Sequence, residues 1–449
     1  MALQKKYFGT DGIRGMANSG NMTAKLALKL GMAVGSLYIR GSHRHRVVIG
    51  KDTRLSGYML ESALVAGFTA VGMDVILLGP LPTPAVSMIT RSLRADLGVM
   101  ISASHNPYYD NGIKLFGPDG FKFSDEQELE IEQRMDNIGL DNFSVPSNLI
   151  GRAKRLDDAD GRYIEFVKNS FPRGKTLDGL KIVVDAANGA AYKLAKKIFW
   201  ELGAEVIELS VKPDGFNINE NCGSNHPESL IQEVLKQKAD IGFALDGDAD
   251  RLVVVDNLGG VVDGDQILAA IATDYLSNQK LTSNNIVATI MSNLGMEHYL
   301  NSIDLNLIRT NVGDRYVSEA MRKHGANIGG EQSGHIILSD YSTTGDGLIA
   351  ALQLLNVIIS QNKSTAEICK VFEPFPQILR NIECNNRGVL SEKKVIEAIE
   401  VAQNKLNGNG RILVRSSGTQ SIIRIMAEGD NLDLLNVIID DIAEEIINA

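Results

Sequence analysis

Residues Ser102-Ala103-Ser104-His105-Asn106-Pro107 place a hydroxyl beside an imidazole directly after the apolar run Leu97-Gly98-Val99-Met100-Ile101. The run is short and wholly apolar, which predicts a buried strand. Pro107 ends it, because proline lacks an N–H donor and biases its predecessor away from helix. A serine held on such a strand-to-loop corner is presented as a covalent nucleophile must be. Asn111-Gly112 reads as a turn leading into Ile113-Lys114-Leu115-Phe116, an apolar run with one cation inside it. In isolation Ser104-His105 is an ordinary polar loop. The rest of the chain changes that reading.

Leu245-Asp246-Gly247-Asp248-Ala249-Asp250-Arg251-Leu252 lies between the apolar runs Ile241–Leu245 and Leu252–Val255. Carboxylates at alternate positions of an extended backbone project to one side. Unpaired they would repel, so a hard divalent cation is their natural compensation. An EF-hand loop is excluded by Arg251 at the position that needs Gly and Asn257 at the position that needs a bidentate Glu. Three carboxylates leave coordination positions open, as Mg²⁺ characteristically does for water or a phosphate oxygen. A solvated acidic turn is the competing reading.

Two further loops carry polar groups at strand ends. Gly329-Gly330-Glu331-Gln332-Ser333-Gly334-His335 precedes Ile336-Ile337-Leu338 and alternates an acid, a hydroxyl and an imidazole. Hydroxyl-rich ligands such as sugars need that mixture of donors and acceptors; a plain glycine turn is the alternative. Val414-Arg415-Ser416-Ser417-Gly418-Thr419-Gln420-Ser421 offers a cation, hydroxyls and a flexible Gly, with Arg424 close behind. Backbone N–H groups in a glycine loop beside Arg make a phosphate cradle, although such loops are common.

In this order the four loops resemble the α-D-phosphohexomutase superfamily, from Phe8-Gly9-Thr10-Asp11-Gly12-Ile13-Arg14-Gly15 to Arg424. Thr310-Asn311-Val312-Gly313-Asp314-Arg315-Tyr316-Val317 and Gln332 are most similar to the branch acting on glucosamine phosphate. Sister phosphomannomutase/phosphoglucomutase enzymes typically carry Met where Gln332 stands. One departure is plain. The family's last loop usually reads Arg-Pro-Ser-Gly-Thr-Glu-Pro, whereas Ser416, Gln420 and Ser421 replace the Pro, Glu and Pro here. Arg415, Ser417, Gly418 and Thr419 remain, so loop rigidity is what the departure affects, since Pro pre-sets the backbone.

The resemblance implies four domains around a central cleft: three related α/β domains with mixed sheets and a smaller, distinct α+β C-terminal domain. Their expected spans are 1–155 for phosphoserine, 156–256 for metal, 257–372 for sugar and 373–449 for phosphate. It implies that Ser104 is carried as a phosphoserine and donates its phosphoryl group to a sugar monophosphate. The resulting glucosamine 1,6-bisphosphate, also the activator, turns around and returns its other phosphate. Phosphate thus moves between O6 and O1 of glucosamine, feeding amino-sugar nucleotide and cell-wall precursor synthesis. One Mg²⁺ per chain is expected on the Ser104 phosphate, Asp246, Asp248 and Asp250. Lys114 and Arg251 would stabilise charge or shuttle the proton, with Arg14 and His105 as further catalytic candidates. Gly313, Glu331, Ser333 and His335 would contact the sugar; Arg415, Ser417, Gly418, Thr419 and Arg424 would hold the phosphate that is not reacting. A phosphomannomutase/phosphoglucomutase with the same machinery is the nearer alternative. A sugar-phosphate binder that has lost activity is the more distant one, and Ser104 with the aspartate triplet argues against it.

The elements that must position these loops alternate strands with amphipathic helices, the pattern of α/β layers. The period predicts helices over Leu26–Leu37 and Leu60–Val71. It predicts strands over Val47–Gly50, Val75–Leu78, Lys181–Asp185, Glu205–Leu209 and Ile286–Ile290. Leu348–Ile359, interrupted by Gln353 and Asn356, is too short to span a bilayer and reads as a core helix. The 449 residues exceed what one core supports. Three scattered cysteines without CxxC spacing argue against a disulfide framework and a structural zinc site. Met1–Tyr7 has no apolar core of a secretory signal, so a cytoplasmic protein is expected. A net charge of −10 weighs against nucleic acid. The expected partner is a small sugar phosphate, with no membrane contact and a monomer or homodimer as the assembly. Because the global field repels such an anion, Arg14, Lys114, Arg251, Arg415 and Arg424 must form a local positive surface.

Overall fold

The protein is described here from a computed structural model over residues 5–39, 41, 43–137, 144–384, 386–416 and 422–448. Two compact units divide the chain. The first comprises the chain up to Met291 together with Leu307–Val371; the second comprises Ser292–Asn306 and Phe372–Ala449.

Three mixed sheets occupy the first unit. The six-stranded one runs in the order Ile13–Met16, Asp110–Phe116, Leu97–Ile101, Arg46–Lys51, Asp74–Pro80 and Ala153–Arg155. Its last four strands are mutually parallel, and Asp110–Phe116 is antiparallel to Leu97–Ile101. The five-stranded sheet runs Val261–Val262, Leu252–Asp256, Ile241–Leu245, Lys181–Asp185 and Glu205–Leu209. The third has the order Asn306–Thr310, Asn285–Thr289, Ile328–Gly330 and Ile336–Leu338. Every residue of Leu97–Ile101 and of Ile241–Leu245 is buried. Such strands, covered on both faces, must be apolar throughout rather than alternating.

One construction recurs in all three sheets. A strand parallel to its inner neighbour ends in a loop, and the chain returns antiparallel: Leu97–Ile101 to Asp110–Phe116, Ile241–Leu245 to Leu252–Asp256, and Ile328–Gly330 to Ile336–Leu338. Those three loops hold Ser104, the aspartate triplet and Glu331. Similar strand-end positions in three related units explain why chemistry-bearing residues recur after apolar runs. Gly329 and Gly330, read from the sequence as part of the third loop, belong to its incoming strand. Their lack of a side chain serves close packing: a Cβ on Gly330 would meet the His335 carbonyl at 2.5 Å.

The apolar run near residue 350 is a core helix, Gly347–Gln361, buried from Gly347 to Ile358. Its two polar interruptions are bonded. The Gln353 amide donates to the Ser170 carbonyl at 2.8 Å, and the Asn356 side-chain oxygen accepts from Lys175 at 2.7 Å. The Asp346 carboxylate caps the helix, accepting from the N–H groups of Leu348 and Ile349, both at 3.0 Å. No helix among the described residues is long and apolar enough to cross a membrane.

The second unit has an antiparallel sheet, Gln377–Glu383, Ile422–Gly429 and Gly410–Ser416, with Ile422–Gly429 central. Helices Lys393–Lys405 and Leu432–Asn448 accompany it. Val395, Ile423, Ile425, Leu435, Ile439 and Ile442 share its core.

Candidate active site

Ser104 takes a left-handed backbone, φ 53°, at the corner that Pro107 closes. A non-glycine residue is held there only when its surroundings over-determine it, and here they do. The Ser104 N–H donates to Ser102 Oγ at 2.9 Å. The buried Arg54 guanidinium donates to the carbonyls of Ser104 at 2.9 Å, Asn106 at 2.7 Å and Asp110 at 3.2 Å, and also to that of Pro107. Its Nε is anchored on Asp52 at 2.8 Å, a pair with no exposed side-chain surface. From the second sheet's side, Asn219 donates to the carbonyls of Ser104 and Asn106 at 2.9 and 3.0 Å. Arg54→Met keeps the length of the side chain and removes these donors. It should destabilise the protein by about 3–5 kcal/mol, because Asp52 is left as an uncompensated buried charge; urea denaturation measures it.

Asn111-Gly112 is not the turn that the sequence suggested. Both residues lie in the strand Asp110–Phe116, where Gly112 lets the Ser102 carbonyl come within 2.5 Å of where a Cβ would stand. That strand carries Lys114 inward, 1% exposed.

The aspartates converge by a different route from the extended backbone expected. Asp246–Asp250 is a turn closed by the Ala249 N–H on the Asp246 carbonyl at 3.0 Å, with Ala249 left-handed at φ 56°. Ligand oxygens of Asp246, Asp248 and Asp250 lie within 4.8 Å of one another, and all three residues are buried. Ser104 Oγ donates to Asp246 Oδ2 at 2.5 Å, while His105 Nδ1 lies 3.3 Å from the same hydroxyl. Asp248 Oδ2 accepts from Thr83 at 2.5 Å and Lys114 at 2.8 Å. The second oxygens of Asp248 and Asp250 are buried without a hydrogen-bond partner. Orphaned carboxylate oxygens in a triplet with ligand atoms this close together fit a hard cation.

A closed ring of ionisable groups runs through the triplet at Asp250, with the Gly345 N–H donating to His335 Nε2 at 3.0 Å. Asp11 pairs with Lys122, Lys122 with Asp314 at 2.6 Å, and Asp314 with His335 at 3.4 Å. His335 then meets Asp250 at 3.6 Å, Asp250 meets Lys114 at 3.2 Å, and Lys114 returns to Asp11 at 3.5 Å. The ring joins residues from all three sheets' loops. Arg14 adds a pair to Asp11, and the Arg251 N–H donates to Asp246 Oδ1 at 3.2 Å. Nε of both Arg14 and Arg251 is buried without a partner, a donor pair suited to an anion.

The electrostatics follow. Burial, then the charges of Asp250 and Asp248, push Asp246 well above the ordinary carboxylate range. Burial also acts against charge on Lys114, but Asp11, Asp248 and Asp250 outweigh it and raise its pKa well above the usual lysine value. Burial followed by Arg251 and Arg14 pushes His105 down to about 3, so its ring is neutral. For His335 burial is overcome by Asp250 and Asp314, which raise it.

Glu331 is held with both oxygens engaged. Its carboxylate accepts from the Gly313 N–H at 3.0 Å and from Ser333 Oγ at 3.3 Å. The structure thus brings Gly313, Glu331 and Ser333 together, and His335 into the charged ring. In the second unit Arg415 and Arg424 are direct cross-strand partners. Burial and then Arg424 lower the Arg415 pKa. Like charges directly opposite are destabilising without a counter-ion, so this pair favours an anion. Ser417, Gly418 and Thr419 lie outside the described residues.

Sequence reasoning gave no role to Thr83, Lys122, Arg54, Asp52 or Asn219, and quoted Asp11 and Asp314 only within longer motifs. A signal existed for two of them: Asp52-Thr53-Arg54 follows a buried strand just as Ser104 does.

The chain matches the phosphoglucomutase/phosphomannomutase family in four consecutive parts. These are alpha/beta/alpha domain I over residues 5–141, domain II over 161–259, domain III over 263–375 and the C-terminal domain over 354–445. The chain belongs to the phosphoglucomutase/phosphomannomutase family. Among its relatives, the phosphoglucosamine mutase of Parvibaculum lavamentivorans is 60% identical over 441 residues, covering 98% of each chain. That of Paramagnetospirillum magneticum is 60% identical over 450 residues and covers 100% of both. A phosphoglucomutase/phosphomannomutase family protein from Burkholderia thailandensis superposes with TM-score 0.82 at 27% identity, over 98% of this chain and 97% of that one. Aspergillus fumigatus N-acetylphosphoglucosamine mutase in complex with GlcNAc-6P and magnesium shares the fold at TM-score 0.68 and 18% identity, over 99% and 96%.

Proposed function

We propose that this family member is a phosphoglucosamine mutase that interconverts glucosamine 6-phosphate and glucosamine 1-phosphate through a phosphoserine at Ser104. The observation that carries the chemistry is the Ser104 hydroxyl, held left-handed and 2.5 Å from Asp246 inside a buried carboxylate triplet. Full-length identity to phosphoglucosamine mutases supports the choice of sugar.

Phosphoryl transfer is catalysed mainly by positioning and charge stabilisation. Asp246, Asp248 and Asp250, with an oxygen of the Ser104 phosphate, would hold Mg²⁺, which supplies Lewis-acid stabilisation of the transferring group. Arg54, Asp52 and Asn219 fix the loop that carries the hydroxyl. Lys114 is bonded to Asp248 and Asp250 and stays charged, which favours charge stabilisation over proton shuttling. Arg14 and Arg251 offer unpartnered N–H donors to phosphate oxygens. Neutral His105, 3.3 Å from Ser104 Oγ, is a weak base with its pKa near 3 and would serve the hydroxyl as a hydrogen-bond partner. Glu331, oriented by Gly313 and Ser333, accepts from sugar hydroxyls. Arg415 and Arg424, with Ser417, Gly418 and Thr419, hold the phosphate that is not reacting. Glucosamine 1,6-bisphosphate is the intermediate and the activator. We keep a four-domain division with boundaries near 155 and 372, but move the middle one past Val262, because Val261–Val262 pairs with Leu252–Asp256. A cytoplasmic enzyme, monomeric or homodimeric, is the setting that fits.

The deciding assay supplies Mg²⁺ and catalytic bisphosphate and compares glucosamine 6-phosphate with glucose and mannose phosphates. Preference for glucosamine is expected; faster turnover of mannose or glucose phosphate would make this a phosphomannomutase/phosphoglucomutase. Arg415→Ala tests the phosphate cradle. It should weaken sugar-phosphate binding by roughly 1.5–3 kcal/mol, the worth of a hydrogen bond to a charged group. Isothermal titration reads it, and unchanged affinity moves the cradle elsewhere.

A further inference from the structure

A second cluster of metal-type ligands stands at the other end of the six-stranded sheet. His45 immediately precedes Arg46–Lys51, and Asp96 immediately precedes Leu97–Ile101; these strands are parallel neighbours, with Val47 opposite Leu97. Both residues therefore sit where the strands begin, whereas Ser104 follows the end of the second of them. His43 completes the group from the loop ahead of His45. His43 Nε2 lies 3.0 Å from Asp96 Oδ1 and 2.9 Å from His45 Nδ1. His45 Nδ1 is 4.0 Å from the same Asp96 oxygen.

Protons alone serve this arrangement poorly. A ring nitrogen offers one N–H or one lone pair, in the ring plane, and so satisfies one of two such neighbours at a time. If His43 Nε2 donates to Asp96, it has no lone pair for His45; if it accepts from His45, its lone pair faces a carboxylate oxygen. A cation removes the conflict, because all three donor atoms then present lone pairs to one centre. Donors 2.0–2.1 Å from a zinc-sized ion lie about 2.9–3.4 Å apart for angles from right-angled to tetrahedral, and up to about 4.1 Å when opposed. The observed 2.9 and 3.0 Å are those of right-angled donors and 4.0 Å that of a nearly opposed pair, so a tetrahedral ion would draw His45 and Asp96 together by about half an ångström.

The surroundings are those of a prepared ligand set. The Arg46 N–H donates to Asp96 Oδ2 at 2.8 Å, which turns Oδ1 toward the imidazoles as outer hydrogen bonds orient metal-binding carboxylates. The adjacent Arg44 is engaged by both oxygens of Asp74 at 2.9 Å. His43 is exposed, its side chain 61% accessible, giving the centre an entry path and room for water.

We infer that His43, His45 and Asp96 form a second metal site, selective for a borderline divalent cation such as Zn²⁺ rather than Mg²⁺. Two imidazoles with one carboxylate suit zinc, nickel or copper, whereas magnesium takes oxygen ligands. An ion there ties together the starts of two central strands whose far ends carry Arg54 and Ser104, so its effect is on stability rather than chemistry.

The test uses full-length protein without a histidine tag, titrated calorimetrically with Zn²⁺ in excess Mg²⁺ to occupy the aspartate triplet. One equivalent should bind, and the melting temperature should rise with Zn²⁺. His43→Ala, a change at an exposed side chain, should weaken Zn²⁺ by more than the roughly 10–100-fold that loss of an outer-shell partner costs. It should leave Mg²⁺-dependent turnover unchanged. Asp96→Asn, which keeps an acceptor for the Arg46 N–H, should weaken Zn²⁺ likewise. Absence of Zn²⁺ binding by the wild-type protein, or undiminished binding in both variants, overturns the site.

Discussion

Ser104→Ala is expected to abolish mutase turnover while the protein still folds. Intact mass should lose the species about 80 Da heavier that marks one phosphoryl group on the wild-type protein. Without the hydroxyl no phosphoryl group can be carried, so no residual activity should depend on sugar bisphosphate. The cost to the fold is larger than a loop hydroxyl suggests. Ser104 is 1% exposed and donates to buried Asp246, and a buried acceptor left without its donor costs about 1–3 kcal/mol. A lowered melting temperature with a native far-UV spectrum is the expected accompaniment. Ala tolerates the left-handed φ no worse than Ser, so no further backbone penalty arises. Wild-type-like turnover in this variant would remove the phosphoserine from the mechanism.

Asp248→Asn should produce the second large effect. The amide keeps an oxygen to accept from Thr83 and Lys114, at 2.5 and 2.8 Å in the native side chain. Shape is therefore preserved while one of three negative ligands is lost. Mg²⁺ affinity should fall steeply and turnover by two orders of magnitude or so, since ligand charge sets the affinity of such sites. Thermal stability should change little, because Lys114 retains Asp250 and Asp11 as partners. Chelation should silence the wild-type enzyme and Mg²⁺ restore it. Equal turnover before and after thorough chelation would refute the metal role. Calorimetric titration with Mg²⁺ separates lost binding from lost chemistry.

Much of the fold was decided by the sequence alone. Strands read as Leu97–Ile101, Lys181–Asp185, Glu205–Leu209 and Ile241–Leu245 occur with those bounds. A short apolar run stopped by polar or turn-forming residues is a local signal, complete within a few positions. The same holds for the core helix around residue 350. The loops that follow such runs were also legible as polar, since Ser104, the aspartates and Glu331 all lie just beyond strand ends.

Tertiary structure decided what those residues touch. The turn that gathers Asp246, Asp248 and Asp250 depends on a left-handed Ala249, which no composition rule predicts. Asn111-Gly112 looks like a turn locally, yet strand pairing claims it, since Ile101 meets Ile113 and Met100 meets Lys114 in register. The charged ring joins Asp11, Lys114, Lys122, Asp250, Asp314 and His335, far apart in the chain and without periodicity between them. Arg54, given no role from the sequence, proves to be the buried clamp of the Ser104 loop. His43, His45 and Asp96 meet only because two parallel strands start side by side. Pairings of this kind arise from sheet register and loop packing, where the free energy of a contact depends on distance in space and leaves no trace in spacing along the chain.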